Sequence, residues 1–107
     1  MNGEEMGCAR FIDMLDEVEM WVRNPERSSK AFSLQTSSDK FYPDFVCKLK
    51  DGRYLIIEYK GADRVTNEDS REKESLGQLY EKRSDGKCLF VMVTNRNYAE
   101  ISAKINA

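Results

Sequence analysis

Histidine is absent from this sequence of 107 residues, which also has only two prolines and three cysteines. The absence of histidine excludes serine–histidine and cysteine–histidine triads, histidine metal centres and histidine general bases. Any catalysis must therefore use carboxylates, lysine, tyrosine or a metal ion held by oxygen ligands. The cysteines, Cys8, Cys47 and Cys88, form no CxxC pair, and they predict free buried thiols rather than a structural zinc site.

Long hydrophobic runs are also absent. No apolar run approaches the roughly 18 residues that a membrane span needs. The N-terminus is acidic rather than basic, unlike a signal peptide, so we expect a cytoplasmic protein. The length predicts one domain, spanning 1–107, with a single core.

Charge of one sign is not in excess over the whole chain, whose formal net charge is −2. Residues 1–20 carry one base against six acids, whereas residues 21–60 carry eight bases against five acids, a balance of +3. The overall value disfavours strong, independent binding of nucleic acid, because affinity scales with the number of phosphates neutralised. The middle third still has the charge for a local basic surface.

Apolar periodicity and turn residues predict an alternation of helices and strands. The long first helix has Asp13 or Asp16 as candidate break points. We predict helices at 4–23, 68–83 and 97–106, strands at 31–36, 42–49, 53–60 and 87–94, a polar turn at 37–40 and a polar loop at 61–67. This order predicts an α/β fold with a mixed four-stranded sheet flanked by helices.

The hairpin formed by the two central strands contains charged residues in apolar surroundings. Glu58 and Lys60 are two apart in a strand, so they share a face. A two-residue turn would send Asp44 to the opposite face. A three-residue loop at 50–52, with Gly52 in the left-handed conformation, would place Asp44 directly opposite Glu58, with Cβ atoms about 5 Å apart. Glycine in the third position favours the longer loop.

Two carboxylates this close repel each other and resist ionisation unless a cation lies between them. Magnesium typically takes one or two carboxylates with waters and substrate phosphate. Lys60 on the same face could polarise a water or bind the scissile phosphate, so the pattern favours metal-assisted phosphodiester hydrolysis. The alternative is that Asp44 merely begins a strand and that Glu58 and Lys60 form a salt bridge on a solvent face, but the apolar run YLIIEYK disfavours it.

Pro43-Asp44, a spacer and then Glu58-Tyr59-Lys60 resemble the motif of the PD-(D/E)XK nuclease superfamily. The predicted element order matches that family's core, αβββαβ with a C-terminal helix added, over nearly the whole chain. The resemblance implies a restriction-endonuclease-like core. It also implies that both acids bind Mg²⁺, with Mn²⁺ able to substitute, that the Tyr59 main-chain carbonyl can join them, and that Lys60 assists the attacking water.

The similarity looks closer still to the nuclease domain at the C-terminus of type III restriction-enzyme cleavage subunits and related helicase-fused proteins. The segments that carry it are WVRN at 21–24, residues 39–61, and KESLGQLYE at 73–81. It implies a DNA endonuclease of restriction or defence type that works with a helicase or translocase motor, a larger restriction complex or a homodimer partner.

Further site residues follow from the same resemblance. The superfamily often adds an acid from the first helix, which implies Glu5 by position, with Glu17 as the alternative. Lys73 shares the predicted inward face of the second helix with Gly77 and Tyr80, and we expect it to contact substrate phosphate or to support the site. Gln78 is a second candidate for that role, and the alternative for all of these is an ordinary solvated side chain.

One departure from the type III pattern is the lack of a GxxxxGK[ST] phosphate loop. Two readings stay open, an excised domain or a small standalone relative similar to archaeal junction resolvases, which work as dimers. A different function class also stays open, namely a non-catalytic module that binds nucleic acid or protein and retains the nuclease fold.

Overall fold

The computed structural model describes residues 3–24, 33–35, 40–60, 68–94 and 97–107. Three helices and six strands lie within these residues. The helices are α1 (Gly3–Asp13), α2 (Glu68–Arg83) and α3 (Ala99–Ile105), and the strands are β1 (Val18–Arg23), β2 (Leu34–Gln35), β3 (Lys40–Phe41), β4 (Phe45–Leu49), β5 (Tyr54–Lys60) and β6 (Cys88–Thr94).

The main sheet has four strands in the order β1-β4-β5-β6. The strand β4 runs antiparallel to both of its neighbours, β1 and β5, and β6 runs parallel to β5. The chain reaches β6 through α2, because a parallel neighbour requires a crossover connection. The predicted α/β class with a mixed four-stranded sheet is therefore confirmed.

The predicted helix at 4–23 is wrong in its second half. The helix α1 ends at Asp13, one of the two expected break points, and Val18–Arg23 form the edge strand β1. Trp21 lies opposite Cys47 of β4. Valine and tryptophan favour strands, and their spacing in a short segment also fits a helical stripe, so periodicity alone could not separate the two.

The predicted strand at 31–36 does not join the main sheet. Its described part, Leu34–Gln35, pairs with Lys40–Phe41 in a separate two-stranded sheet, and β1 takes the expected place beside β4. The predicted turn at 37–40 falls mostly outside the described residues, with Lys40 in β3, and the predicted loop at 61–67 lies wholly outside them.

The hairpin of β4 and β5 turns through the predicted three-residue loop. The Leu49 amide donates to the Arg53 carbonyl at 2.8 Å, and the Gly52 amide donates to the Leu49 carbonyl at 3.0 Å. Gly52 has φ +95°. Such a backbone conformation favours glycine, so the local sequence selects this loop and with it the register of the whole hairpin.

One face of the main sheet packs against α1 and α3 and holds the larger part of the core. The cluster there includes Cys8 and Ile12 of α1, Phe45, Cys47, Leu55, Ile57 and Val93 of the sheet, and Ile101 and Ile105 of α3. The cysteines Cys8, Cys47 and Cys88 are free and buried, as expected.

The helix α2 packs on the other face, over β6. A Cβ atom on Gly77 would lie 2.3 Å from the Phe90 ring, so glycine is what lets the helix approach this closely. Tyr80 was expected to face inward with Gly77, but it is exposed. No helix within the described ranges combines the length and the apolarity needed to cross a bilayer.

Candidate metal centre

Three polar residues, Asn24, Asp44 and Glu58, lie near one another at one end of the sheet. Asn24 directly follows β1, Asp44 directly precedes β4, and Glu58 lies within β5. The register of β1 and β4 pairs Arg23 with Phe45, so its continuation brings Asn24 opposite Asp44. The Asn24 amide donates to the Asp44 carbonyl at 2.8 Å. The β4–β5 register ends at Phe45 and Ile57, and its next position would place Asp44 opposite Glu58, where the two carboxyl groups interact directly.

The hairpin register brings the two acids together as closely as a sheet allows. Leu49 and Arg53 form a hydrogen-bonded pair, and such pairs alternate with pairs that make no ladder bonds. The ladder ends at Phe45 and Ile57, and the next position outward, that of Asp44 and Glu58, is of the kind without ladder bonds, in which side chains lie closer. The convergence of the two acids predicted from the three-residue loop is confirmed.

Glu58 is buried together with its cations. Only 6% of its side chain and 11% of the Lys60 side chain are exposed. Its Oε2 atom lies 3.2 Å from Lys60 Nζ and 3.8 Å from Lys73 Nζ. Its Oε1 atom is also buried but accepts no hydrogen bond from any described residue. An unsatisfied buried carboxylate oxygen is costly, and it is a natural ligand for a hard cation.

The electrostatics of the pair oppose full ionisation. The pKa of Glu58 is raised to about 8, chiefly by burial and also by the Asp44 charge, with the ammonium of Lys60 opposing both. Burial also raises the pKa of Asp44, whereas the hydrogen bond from the Tyr59 amide holds it down. The metal-free site therefore favours a proton on one of the acids, and a divalent cation would replace that proton.

Asp44 is held by the main chain of the opposite strand. The Tyr59 amide donates to Asp44 Oδ2 at 2.7 Å. A strand residue turns its N–H and C=O to the same side, so the Tyr59 carbonyl also faces the Asp44 side of β5. Pro43, its register partner, has no N–H to give to that carbonyl. The Tyr59 carbonyl therefore points toward Asp44 and has no partner N–H from Pro43, as a main-chain metal ligand of the kind that the resemblance implies would require.

The structure separates the two acids considered for the first helix. Glu5 lies near the site, where its charge contributes to the raised pKa of Asp44, and its Oε2 atom is 3.4 Å from Arg23 Nη2. The Glu17 carbonyl instead accepts from the Lys50 amide at 2.9 Å, at the turn end of the hairpin. Six residues of strand put that end about 20 Å from Asp44, so the alternative of Glu17 is wrong.

The two candidates from α2 lie in different places. Lys73 reaches Glu58 and also sits over the Phe41 ring, 5.2 Å from its centroid. Gln78 is exposed and lines a groove between α2 and α3 that Glu100 and Lys104 border. The structure brings Lys73 to the acids and does not bring Gln78 to them, because α2 turns Gln78 toward α3.

The side chains present fit a magnesium ion held by few protein ligands. Among the residues that the structure describes, no cluster of three or more histidine, cysteine, aspartate or glutamate side chains is arranged to hold a metal ion. Glu5 is therefore not a third ligand in this arrangement, and its metal role stays a prediction. Magnesium commonly uses one or two carboxylates and keeps several waters, which Asp44 and Glu58 satisfy.

Asn24 lies at the site but is not among the candidate residues predicted from the sequence. It is buried, and its Nδ2 atom donates to the Pro43 carbonyl at 2.9 Å. The segment WVRN carries the family resemblance, but a helix at 4–23 would not place Asn24 beside Asp44. The signal that could have found it is an asparagine at the end of a β-branched, aromatic strand, where its amide can satisfy main-chain groups.

The fold and the site together define an α/β domain with an acidic pair and a lysine at the open end of a central hairpin. No family model matches the chain, and neither a curated protein nor a solved structure matches it.

Proposed function

We propose that this protein hydrolyses phosphodiester bonds of DNA with magnesium, as a nuclease domain of the PD-(D/E)XK type. The observation that supports it best is the Asp44–Glu58 pair, in which Glu58 Oε2 lies beside Lys60 while Glu58 Oε1 is buried without a hydrogen-bond partner among the described residues. A salt bridge that only stabilised the fold would have no need of Asp44 beside it or of a buried, unsatisfied oxygen on Glu58, since each uncompensated buried group costs free energy.

In this mechanism Asp44, Glu58 and the Tyr59 carbonyl would hold the cation. The bound cation supplies charge neutralisation and polarisation of the scissile phosphate. Lys60 lies beside Glu58 and holds the attacking water in line with phosphorus. The water oxygen would form the new P–O bond and lose a proton to solvent. The bond from phosphorus to the leaving sugar oxygen would break, and that oxygen would take a proton from solvent, while Lys73 would offer its ammonium to the phosphate.

DNA is the substrate that the resemblance implies, and the charge of the chain suggests that it does not bind DNA alone. The two carboxylates repel phosphate until a cation fills the site, so DNA affinity rises with Mg²⁺ or Ca²⁺. Calcium supports binding without turnover, because its looser coordination positions the water poorly. A translocase motor, a larger complex or a second copy then supplies the remaining affinity, in the cytoplasm, where the three free thiols stay reduced.

The test is cleavage of plasmid and linear DNA with Mg²⁺, with and without chelator, by the wild type and by Asp44→Asn. Asp51→Asn is the matched control, since it removes an exposed carboxylate of the same hairpin. The proposal requires metal-dependent cleavage that Asp44→Asn abolishes and Asp51→Asn retains. Binding of DNA without any Asp44-dependent cleavage, even at high protein concentration, would instead support the non-catalytic module.

A further inference from the structure

Asn24 is placed to hold the main chain on both sides of the Asp44 carboxylate. Its own amide donates to the Asp44 carbonyl at 2.8 Å, and its side-chain Nδ2 donates to the Pro43 carbonyl at 2.9 Å. Two consecutive carbonyls are thus bound by one residue. Asn24 is only 7% exposed, so these bonds form away from competing water.

The side-chain bond substitutes for a bond that the ladder does not make. In a regular continuation of the β4–β5 register, the Tyr59 amide would donate to the Pro43 carbonyl, because residues 43 and 59 would form a hydrogen-bonded pair. The Tyr59 amide instead donates to Asp44 Oδ2 at 2.7 Å. The Pro43 carbonyl accepts from Asn24 Nδ2 instead. The main chain bends at Asp44, and the Pro43 carbonyl and the Tyr59 amide are both still hydrogen-bonded.

We infer that Asn24 is a positioning residue of the metal site, whose side-chain amide keeps the main chain bent so that the Tyr59 amide donates to the Asp44 carboxylate. This inference rests on the proposed function. Without the Nδ2 donor, the Pro43 carbonyl would compete for the Tyr59 amide, and Asp44 Oδ2 would lose the donor that orients it. Groups that orient metal ligands in this way commonly change metal affinity by about 10- to 100-fold when they are removed.

The experiment is calorimetric titration of Mg²⁺ and Mn²⁺ into the DNA-free protein. Asn24→Leu removes the amide at nearly constant size and charge, and we expect it to weaken metal binding by about tenfold or more. Asn24→Gln keeps the amide on a longer side chain and should recover part of the affinity. Asn97→Leu, at an exposed asparagine, controls for the substitution, and Ile105→Val in α3 controls for general loss of core packing.

A purely structural role would lower the unfolding midpoint of Asn24→Leu and Ile105→Val alike without a selective loss of metal affinity. Wild-type affinity in Asn24→Leu, with binding abolished in Asp44→Asn, would overturn this inference and leave the proposed function standing. Absence of any Asp44-dependent metal binding by the wild type would overturn both.

A measurement on the wild type decides the matter if Asn24→Leu does not fold. By NMR, the Asn24 side-chain amide protons should exchange at least tenfold more slowly than those of exposed Asn97. The Asn24 side-chain amide and the Tyr59 main-chain amide should both shift with Mg²⁺ at a common apparent Kd. Exchange of the Asn24 amide as fast as that of Asn97, with no shift on adding Mg²⁺, would overturn the inference.

Discussion

The two ends of the β4–β5 hairpin each carry an acid and a base two residues apart. At the turn, Asp51 Oδ2 lies 2.8 Å from Arg53 Nε on an exposed surface. At the open end, Glu58 Oε2 lies 3.2 Å from Lys60 Nζ in the interior. The Arg53 main-chain amide, with help from its side chain, lowers the pKa of Asp51, whereas burial raises the pKa of Glu58 to about 8. Burial, and not the presence of a base, separates a solvated ion pair from a candidate reactive site.

Removing either acid of the candidate metal site, Asp44 or Glu58, should give the largest effect. We expect Asp44→Asn and Glu58→Gln each to lower the single-turnover rate of Mg²⁺-dependent DNA cleavage by about 10³-fold, because a bound metal contributes several kcal/mol to the transition state. Asp51→Asn should cleave at the wild-type rate. Equal losses in Asp51→Asn and Glu58→Gln would show that the two ends of the hairpin do not differ in function.

Removing the bases should give the next largest effect. Lys60→Gln should lower the cleavage rate by about 10²-fold with little change in metal affinity, since the lysine acts on the water rather than on the ion. Arg53→Gln at the turn is the matched control and should cleave normally. Retained cleavage in Lys60→Gln at saturating Mg²⁺ would rule out the role assigned to this lysine.

The metal-free protein should become more stable when Glu58 is neutralised. Because the fold raises the pKa of Glu58, Glu58→Gln should increase the free energy of unfolding by about 1–3 kcal/mol at pH 7. The measurement is urea unfolding with chelator present. Asp51 has a lowered pKa, so Asp51→Asn should not stabilise the protein, and a gain there as large as that of Glu58→Gln would contradict the comparison.

Glu58 and Asp51 should also contribute to the free energy of unfolding with opposite dependences on pH. A raised pKa in the folded state means that the favourable contribution of Glu58 is complete below its ordinary pKa, 4.5, and is lost as the pH rises toward about 8. The pKa of Asp51 is lowered, so Asp51 stabilises the fold at pH values above its ordinary pKa, 3.8, and this stabilisation is lost as the pH falls. Unfolding measured with chelator from pH 4 to pH 9 should therefore show a decline that Glu58→Gln flattens and Asp51→Asn leaves in place.

The smallest effect should come from the turn backbone. Gly52→Ala should lower the free energy of unfolding by about 1 kcal/mol, because φ is +95° there while no atom would clash with the new Cβ. Gly3→Ala, which also faces open space but has no positive φ, should be neutral or slightly stabilising. A neutral Gly52→Ala would show that the loop tolerates another conformation without loss of the register.

Local chemistry explains which elements could be predicted. The helix at 68–83 matches α2, and the hairpin follows from its turn, since Gly52 selects the loop and the loop determines that Asp44 faces Glu58. The helix predicted at 4–23 was wrong beyond Asp13, because a six-residue edge strand with Trp21 and two valines satisfies helical spacing as well as strand spacing. That segment forms a strand because it pairs with β4, whose residues lie more than 20 positions further along the chain.

The sequence by itself determined the hairpin register and the pairing of the two acids, because both depend on a three-residue loop and on the two-residue period of a strand. Only the tertiary structure decided that Lys73 reaches Glu58, that Gln78 and Glu17 lie elsewhere, and that Asn24 binds the main chain around Asp44. It also decided the raised pKa of Glu58, because desolvation depends on every element packed around a carboxylate, and those elements come from distant parts of the chain.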